Sequence, residues 1–282
     1  MIQLITGATG DVGSKVVNRL LERGERPRIL VRNAARAAEL FGDRVEIHIG
    51  DLSNRRDLDR AFEGVDVCFL VNSGPQIPER DRMAAQAARA AGNTRLVKLS
   101  SMDVNYGLAI GAWHEKGEEA IRSEGIPFTF LQPGGFMSNL LAWAASVRNE
   151  GVVRSSTGEG RRAFIHSDDI AAVAVETMTF CAYEGRSLVI TGPEALTFGE
   201  VTARISGALG RQIEYRAVSD GEARERYLVV SGSPEETEAH VALWRAIRED
   251  RLAMVTNQVE QILGRKPIAL DQWLAENATA FG

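Results

Sequence analysis

Residues 4 to 16 read LITGATGDVGSKV: a short apolar run, then glycines at 7, 10 and 13 spaced G-x-x-G-x-x-G, then an amphipathic stretch. This segment constrains the fold more than any other, because such a turn needs a strand before it and a helix after it, within a unit closed by a second strand. Here that strand comes near residue 31. Gly7 allows the tight turn, Gly10 lets the backbone approach a ligand, and Gly13 lets the helix pack closely on the strand. The amides of Thr9, Gly10, Asp11 and Val12 then point from a helix N-terminus, where the helix dipole favours an anion. Together these features specify a site for the pyrophosphate of a dinucleotide.

The alternation continues along the chain. Strand-like runs IQLIT, RPRILV, RVEIHI, VDVCFLV, RLVKLS and PFTFLQ are separated by helical patterns such as GSKVVNRLLER, RDLDRAF, RDRMAAQAARAAG and EKGEEAIRSEG, and RSLVIT and QIEYRAV follow as later strand candidates. Short strands separated by longer helices imply parallel βαβ units, hence an α/β, Rossmann-like doubly wound parallel sheet. After about residue 195 the pattern turns mainly helical, through TFGEVTARISGALG, PEETEAHVALWRAIRED and VTNQVEQILG. The expected division is a dinucleotide-binding core over residues 1–150, with 160–192 returning to it, and a smaller helical lobe over 193–282 that covers the substrate.

Composition excludes several classes. At 282 residues and 44% hydrophobic content, the chain can bury a sizeable core. A net charge of −5 argues against nucleic acid, and the basic clusters RRAF and NRRDLDR read as solvated faces diluted by carboxylates. No window approaches a membrane span of roughly 18 apolar residues, and MIQLITGATG lacks the basic region and cleavage site of a secretory signal, so a cytoplasmic place is expected. Cys68 and Cys181 sit among apolar residues without metal or redox spacing and read as buried packing. Apolar helices such as MAAQAARAAG suit either a monomer or a homodimer.

Cofactor choice is read at the end of the second strand, where an NAD-selective site places a carboxylate. This chain has RILVRNAARAA, with Arg32 at that position, Asn33 beside it and Arg36 one helical turn on. A guanidinium pair suits a 2′-phosphate, so NADP(H) is favoured over NAD(H). Asp51 and Leu52 follow the third strand, where Asp51 serves the adenine or caps the next helix. Val71, Asn72, Ser73 and Gly74 follow the fourth and are assigned to the ribose and nicotinamide. Ser100, Pro133, Gly135 and Phe136 complete the cofactor set.

The motifs TGATGDVG, VRN, GDL, SSMDVNYG, GIPFTFLQPGGFMSN, FIHSDDIA and ITGPEALTFGEV together resemble the atypical short-chain dehydrogenase/reductases of the NmrA-like group, over nearly the whole chain. The helix HEKGEEAI is similar to one in the triphenylmethane reductases and quinone oxidoreductases of that group. The resemblance implies a Rossmann-like core binding NADP(H), a C-terminal lobe shaping the substrate pocket, and, in some members, a regulator that binds dinucleotide without turning it over. The Ser-Tyr-Lys set of the wider dehydrogenases is missing: by alignment Met102 stands for the serine, Ile110 for the tyrosine and His114 for the lysine. Lys116 lies some 200° around the helix from His114 and is no substitute. Tyr106 is a weak candidate acid.

Reduction of a simple ketone develops an alkoxide that needs a placed proton donor, a contribution of about 10²- to 10⁴-fold. Its loss points instead to an acceptor that delocalises charge, such as a quinone, enone, iminium or dye, held in place against the nicotinamide. His114 is the candidate catalytic residue, hydrogen-bonding acceptor oxygen or the nicotinamide ribose; its plain alternative is a satisfied polar residue. Tyr106, Trp113, Phe136, Met137, Asn139 and Trp143 are the candidate substrate wall, while Trp244 and Trp273 read as core. His166, Asp168 and Asp169 read as the capped start of a helix rather than a catalytic cluster, and no metal ligands are assigned. The expected function is an NADPH-dependent oxidoreductase for a conjugated or aromatic small molecule. The alternatives are a non-catalytic NADP(H) sensor and a biosynthetic tailoring reductase or isomerase.

Overall fold

The computed structural model describes residues 1–92 and 94–282. Its strands are β1 (Gln3–Thr6), β2 (Arg28–Val31), β3 (Glu46–Ile49), β4 (Val67–Leu70), β5 (Arg95–Leu99), β6 (Phe128–Pro133), β7 (Gly135–Phe136), β8 (Val152–Ser155), β9 (Arg161–Ile165), β10 (Arg186–Ile190), β11 (Ala195–Thr197) and β12 (Glu214–Ala217). The helices are α1 (Asp11–Glu22), α2 (Ala34–Phe41), α3 (Arg55–Phe62), α4 (Ile77–Ala90), α5 (Ala109–Ser123), α6 (Ala144–Glu150), α7 (Ser167–Thr179), α8 (Phe198–Leu209), α9 (Asp220–Ser231), α10 (Pro234–Arg248), α11 (Gln258–Leu263) and α12 (Leu270–Asn277). They form two compact units: Met1–Ser101, Ala112–Pro133 and Ser167–Val189 in the first, and Met102–Gly111, Gly134–His166 and Ile190–Gly282 in the second.

The first unit is built on a seven-stranded sheet ordered β10-β6-β5-β4-β1-β2-β3. β1 pairs in parallel with β2 on one side (Leu4 opposite Arg28) and with β4 on the other (Gln3 opposite Val67). The strand order therefore reverses between β1 and β4, and the carboxyl ends of these strands flank the crevice where doubly wound sheets bind ligands. Successive side chains on a strand point to opposite faces, and β1, β2, β4 and β5 are buried on both. Leu4, Leu30, Cys68, Leu96 and Phe130 pack on one face with Leu58 and Phe62 of α3, Ala84 and Ala88 of α4 and Ile121 of α5. α1 and α7 pack against each other, and α7 also meets β4, β5 and β6.

The second unit carries two small sheets. β9 pairs antiparallel with β11 and parallel with β7, and β8 pairs in parallel with β12. Its core gathers Met137, Leu140, Val147, Phe164, Phe198, Val201, Ile205, Trp273, Leu274 and Phe281. α8 opens with a reciprocal cap: Thr197 accepts from the Glu200 amide and Glu200 accepts from the Thr197 amide.

Several expectations change. The division expected at residue 150, with a return at 160–192, differs from the compact units, because 134–166 supplies β7, β8 and β9 to the small sheets of the second unit and 102–111 joins them. RRAF is not a solvated face: its central residues lie in β9, and Arg162, Ala163 and Phe164 are buried. Cys68 is buried, but Cys181 is exposed in a short turn after α7. Ala84, Ala85, Ala87 and Ala88 of MAAQAARAAG are buried within the first unit, in the core shared with α3 and α5, whereas Ala90 is exposed. α9 lay outside the helices expected from the sequence. Among the described residues, no helix is long and apolar enough to cross a membrane.

Candidate functional site

The glycine turn is built as its spacing requires. Gly7 has φ +60°, a conformation that suits a residue without Cβ. A Cβ at Gly13 would stand 2.2 Å from the Gly7 carbonyl oxygen, and one at Gly7 would press on Val71 at 3.0 Å. The Gly10 amide donates to the Gly7 carbonyl at 3.0 Å, and α1 opens at Gly10 with no side-chain cap. The helix thus begins with open donors in a turn whose Gly7 and Gly13 leave no room for a side chain, which fits a pyrophosphate held by backbone. The Asp11 carboxylate is occupied by the Ser167 hydroxyl and lies 3.8 Å from Lys15. Thr9 is exposed, whereas the Val12 side chain is buried, so Val12 offers its amide alone.

Thr6, absent from the sequence-derived site, ties the two strand ends of the crevice. Its hydroxyl accepts from the Val71 amide at 2.7 Å and donates to the Val71 carbonyl at 3.0 Å. At the end of β2 the Arg32 side chain is 82% exposed and stands 4.0 Å from Asp51, while Asn33 caps α2 by accepting from the Arg36 amide. Arg36 pairs with Glu39 at 2.7 Å. The Asp51 carboxyl is held below its usual range, chiefly by the Ser53 amide at 2.8 Å with help from Arg80 and Arg32. Leu52 is half-buried against the α3–α4 core. Beyond β4, Ser73 is exposed and Gly74 turns the chain at φ +84°.

Two buried polar groups meet beside α5. Lys98 on β5 and Asp81 on α4 pair at 2.6 Å, 1% and 0% exposed, and Asn72 donates to the same carboxylate at 2.5 Å. Lys98 Nζ is 3.3 Å from His114 Nδ1. A Cβ at Gly117 would fall 2.1 Å from the Asp81 carboxylate, so this glycine makes room for it. Burial, and then the charge of Lys98, hold His114 well below the usual imidazole range. Glu118, one turn on, accepts from Ser100 at 2.6 Å, Gln132 at 2.9 Å and Arg122 at 3.0 Å. Ser100 is therefore already engaged by protein. Lys98 and Asp81 escaped the sequence reading; the signal was a lysine inside the otherwise apolar strand RLVKLS. Lys116 is exposed, as its helical angle requires.

The wall residues divide between the units. Trp113 belongs to the first and is half-buried. In the second, Tyr106 ends a short 3₁₀ turn, and burial together with the Asp103 carboxylate pushes its hydroxyl up. Phe136 is half-buried on β7 and Asn139 is exposed. Met137 is corrected: at 1% exposure it is a core residue, packed with Leu140 and Phe164. Trp143 stands edge-on to Phe198 at 5.1 Å. Arg162 lies across Gly135, pairs with Asp103 at 3.4 Å and leaves its Nη1 buried without a hydrogen bond among the described residues. His166 meets Glu276 at 3.2 Å, and Asp168 meets Arg19 and Lys15 at 3.4 and 3.8 Å. No cluster of potential metal ligands occurs among the described residues.

A family model for NAD(P)H-binding proteins matches residues 7–179. Over 281 residues the chain is 40% identical to (4-alkanoyl-5-oxo-2,5-dihydrofuran-3-yl)methyl phosphate reductase of Streptomyces griseus, covering 99% of this chain and 98% of that one. It is 37% identical to the NAD(P)H azoreductase of Xenophilus azovorans, covering 99% of both. Among solved structures, the NADPH-dependent quinone oxidoreductase of Escherichia coli, complexed with NADPH, superposes with a TM-score of 0.89 at 24% identity, over 98% of this chain and 99% of that one. The triphenylmethane reductase of Citrobacter gives 0.86 at 23%, over 99% and 100%, and these two show the shared fold. With the glycine turn, the strand order and the matched family model in agreement, the chain belongs to the NAD(P)H-binding family.

Proposed function

We propose that this protein is an NADPH-dependent reductase of a small acceptor with a delocalised double bond, such as a quinone, an azo dye or an unsaturated lactone. The observation that carries the reading is α5, where Ile110 and a buried His114 occupy the positions that ketone reductases give to tyrosine and lysine. A neutral imidazole is a poor acid, so nothing on this helix protonates an alkoxide as it forms. A delocalised acceptor spreads the incoming charge and takes its proton later, from solvent. The relatives agree in chemistry: one is named for a butenolide, whose ring double bond is conjugated to carbonyls, the other for azo compounds.

When bound, the reduced dinucleotide supplies the hydrogen and two electrons of the reduction. The backbone of Gly7 to Gly13 holds its pyrophosphate. Arg32, aided by Arg36, takes the 2′-phosphate that distinguishes NADPH, and Asp51 and Leu52 take the adenine side. Val71, Asn72, Ser73, Gly74, Pro133, Gly135 and Phe136 serve the ribose and nicotinamide, and Ser100, whose proton goes to Glu118, offers them only its lone pairs. Tyr106, Trp113, Phe136, Asn139 and Trp143 contact the acceptor.

The test is the loss of NADPH absorbance with quinones, azo and triphenylmethane dyes, butenolides and simple ketones, beside direct binding of NADPH and NADH. Turnover of conjugated acceptors with little on simple ketones supports the reading. Tight NADPH binding with no turnover across the panel overturns it in favour of a dinucleotide sensor.

A further inference from the structure

We infer that Lys98 and Asp81 are positioning residues that hold His114 as a neutral imidazole with its proton on Nε2, so that α5 presents an N–H donor to an uncharged ligand oxygen. The inference rests on the reductase reading above for its catalytic consequence, though not for the state of the ring.

An ammonium has three donors and no acceptor. Lys98 is ion-paired with the Asp81 carboxylate at 2.6 Å, and its contact with His114 Nδ1 at 3.3 Å makes that nitrogen the acceptor. The ring proton then belongs on Nε2. Nε2 makes no hydrogen bond among the described residues, so the donor is left for a ligand. The charge that acts on the ring is Lys98 from β5; behind it stands Asp81 from α4, paired with Lys98, and Glu118 lies one turn along α5. Glu118 is engaged by Ser100, Gln132 and Arg122. Asn72, at the carboxyl end of β4, donates to the other oxygen of Asp81 and locks the pair from the crevice side. A second proton on the ring would set two cations in contact in a buried place, and His114 is held well below the ordinary imidazole range accordingly. Such a ring polarises an oxygen by hydrogen bonding without surrendering its proton. Lys98 thus acts through His114 rather than on the ligand.

The measurement is nitrogen-15 NMR of the imidazoles in the NADP⁺-bound protein, on wild type and on the double variant Lys98→Met/Asp81→Leu, which removes both buried charges together and leaves neither unpaired. Wild-type His114 is expected as the Nε2–H tautomer, still neutral where a free imidazole has taken up its second proton, and the double variant is expected to mix tautomers and titrate nearer the ordinary value of about 6.5. His114→Leu is expected to lower kcat on the order of 10-fold or more if the oxygen belongs to the acceptor, or to raise the NADPH Kd similarly if it belongs to the nucleotide, with His114→Gln restoring part of either. An Nδ1–H tautomer, a wild-type ring that titrates near 6.5, or a His114→Leu variant with unchanged kcat and Kd would overturn the inference. A wild-type protein that turns over nothing yet shows the Nε2–H ring would instead count against the reductase reading, leaving the NADPH Kd to decide the role of His114.

Discussion

At Gly13 a single added carbon would stand 2.2 Å from the Gly7 carbonyl oxygen, too close for any atom, so the helix would have to back away from the strand. Gly13→Ala is expected to destabilise the fold by about 1–3 kcal/mol and to weaken NADPH binding by at least on the order of 10-fold; thermal melts and fluorescence titration read the two effects separately. Arg32→Ala is expected to reduce the preference for NADPH over NADH by about 10- to 100-fold, the worth of a charge-assisted hydrogen bond. Paired titrations with both dinucleotides check it, and an unchanged ratio would remove Arg32 from the site. Arg36 should matter less, because Glu39 already pairs with it. The glycine turn was legible in the sequence because its constraints lie within seven residues. The partner of His114 was not: Lys98, and the Asp81 that pairs with it, arrive from two other elements, and no local spacing announces that they meet.

Among the elements, α9 shows why a helix can be hard to read. Its stretch DGEARERYLVVS runs charged and then apolar, and Val229 and Val230 remain exposed. The helix is held instead by its ends and its neighbour: Ser219 caps it, Tyr227 stacks on His240 of α10 at 4.2 Å, and Asp220 joins Arg248 and Arg245 of α10 at 2.7 and 3.0 Å. The Arg248 hydrogen bond, then that of Arg245, lowers the Asp220 carboxyl to about 2. A lowered carboxyl stabilises the fold above its ordinary range and loses that contribution as pH falls toward 2. The arginines are partly exposed, so Asp220→Asn is expected to cost only about 1 kcal/mol at neutral pH, a difference that shrinks as pH falls from about 4 to about 2. Urea melts of both proteins across that range test the sign. β7, β9 and β11 escaped sequence reading for a related reason: they are two to five residues long, and their pairing joins segments far apart in the chain.

For the whole molecule, the two cysteines report on packing. Cys68 sits in the sheet core, where burial pushes its thiol up, while Cys181 is exposed. A thiol reagent is expected to modify one cysteine rapidly in the native protein and the second only after unfolding, and rapid modification of both would contradict the burial of β4. The expected doubly wound sheet and its NAD(P)H-binding character hold at this scale. The chain passes between its compact units at 101/102, 111/112, 133/134, 166/167 and 189/190.

By itself the sequence determined the strand–turn–helix at the N-terminus, the alternation that builds the parallel sheet, and the absence of a tyrosine–lysine pair on α5, all of which are local patterns of residue type and spacing. Tertiary structure alone decided that Lys98, paired with Asp81, reaches His114, that the Ser100 proton goes to Glu118, that Arg162 is buried beside Asp103, and that Met137 belongs to a core. Each of these depends on side chains brought together from different strands and helices. Burial and charge pairing at such meetings are properties of the folded chain, not of any window of its sequence.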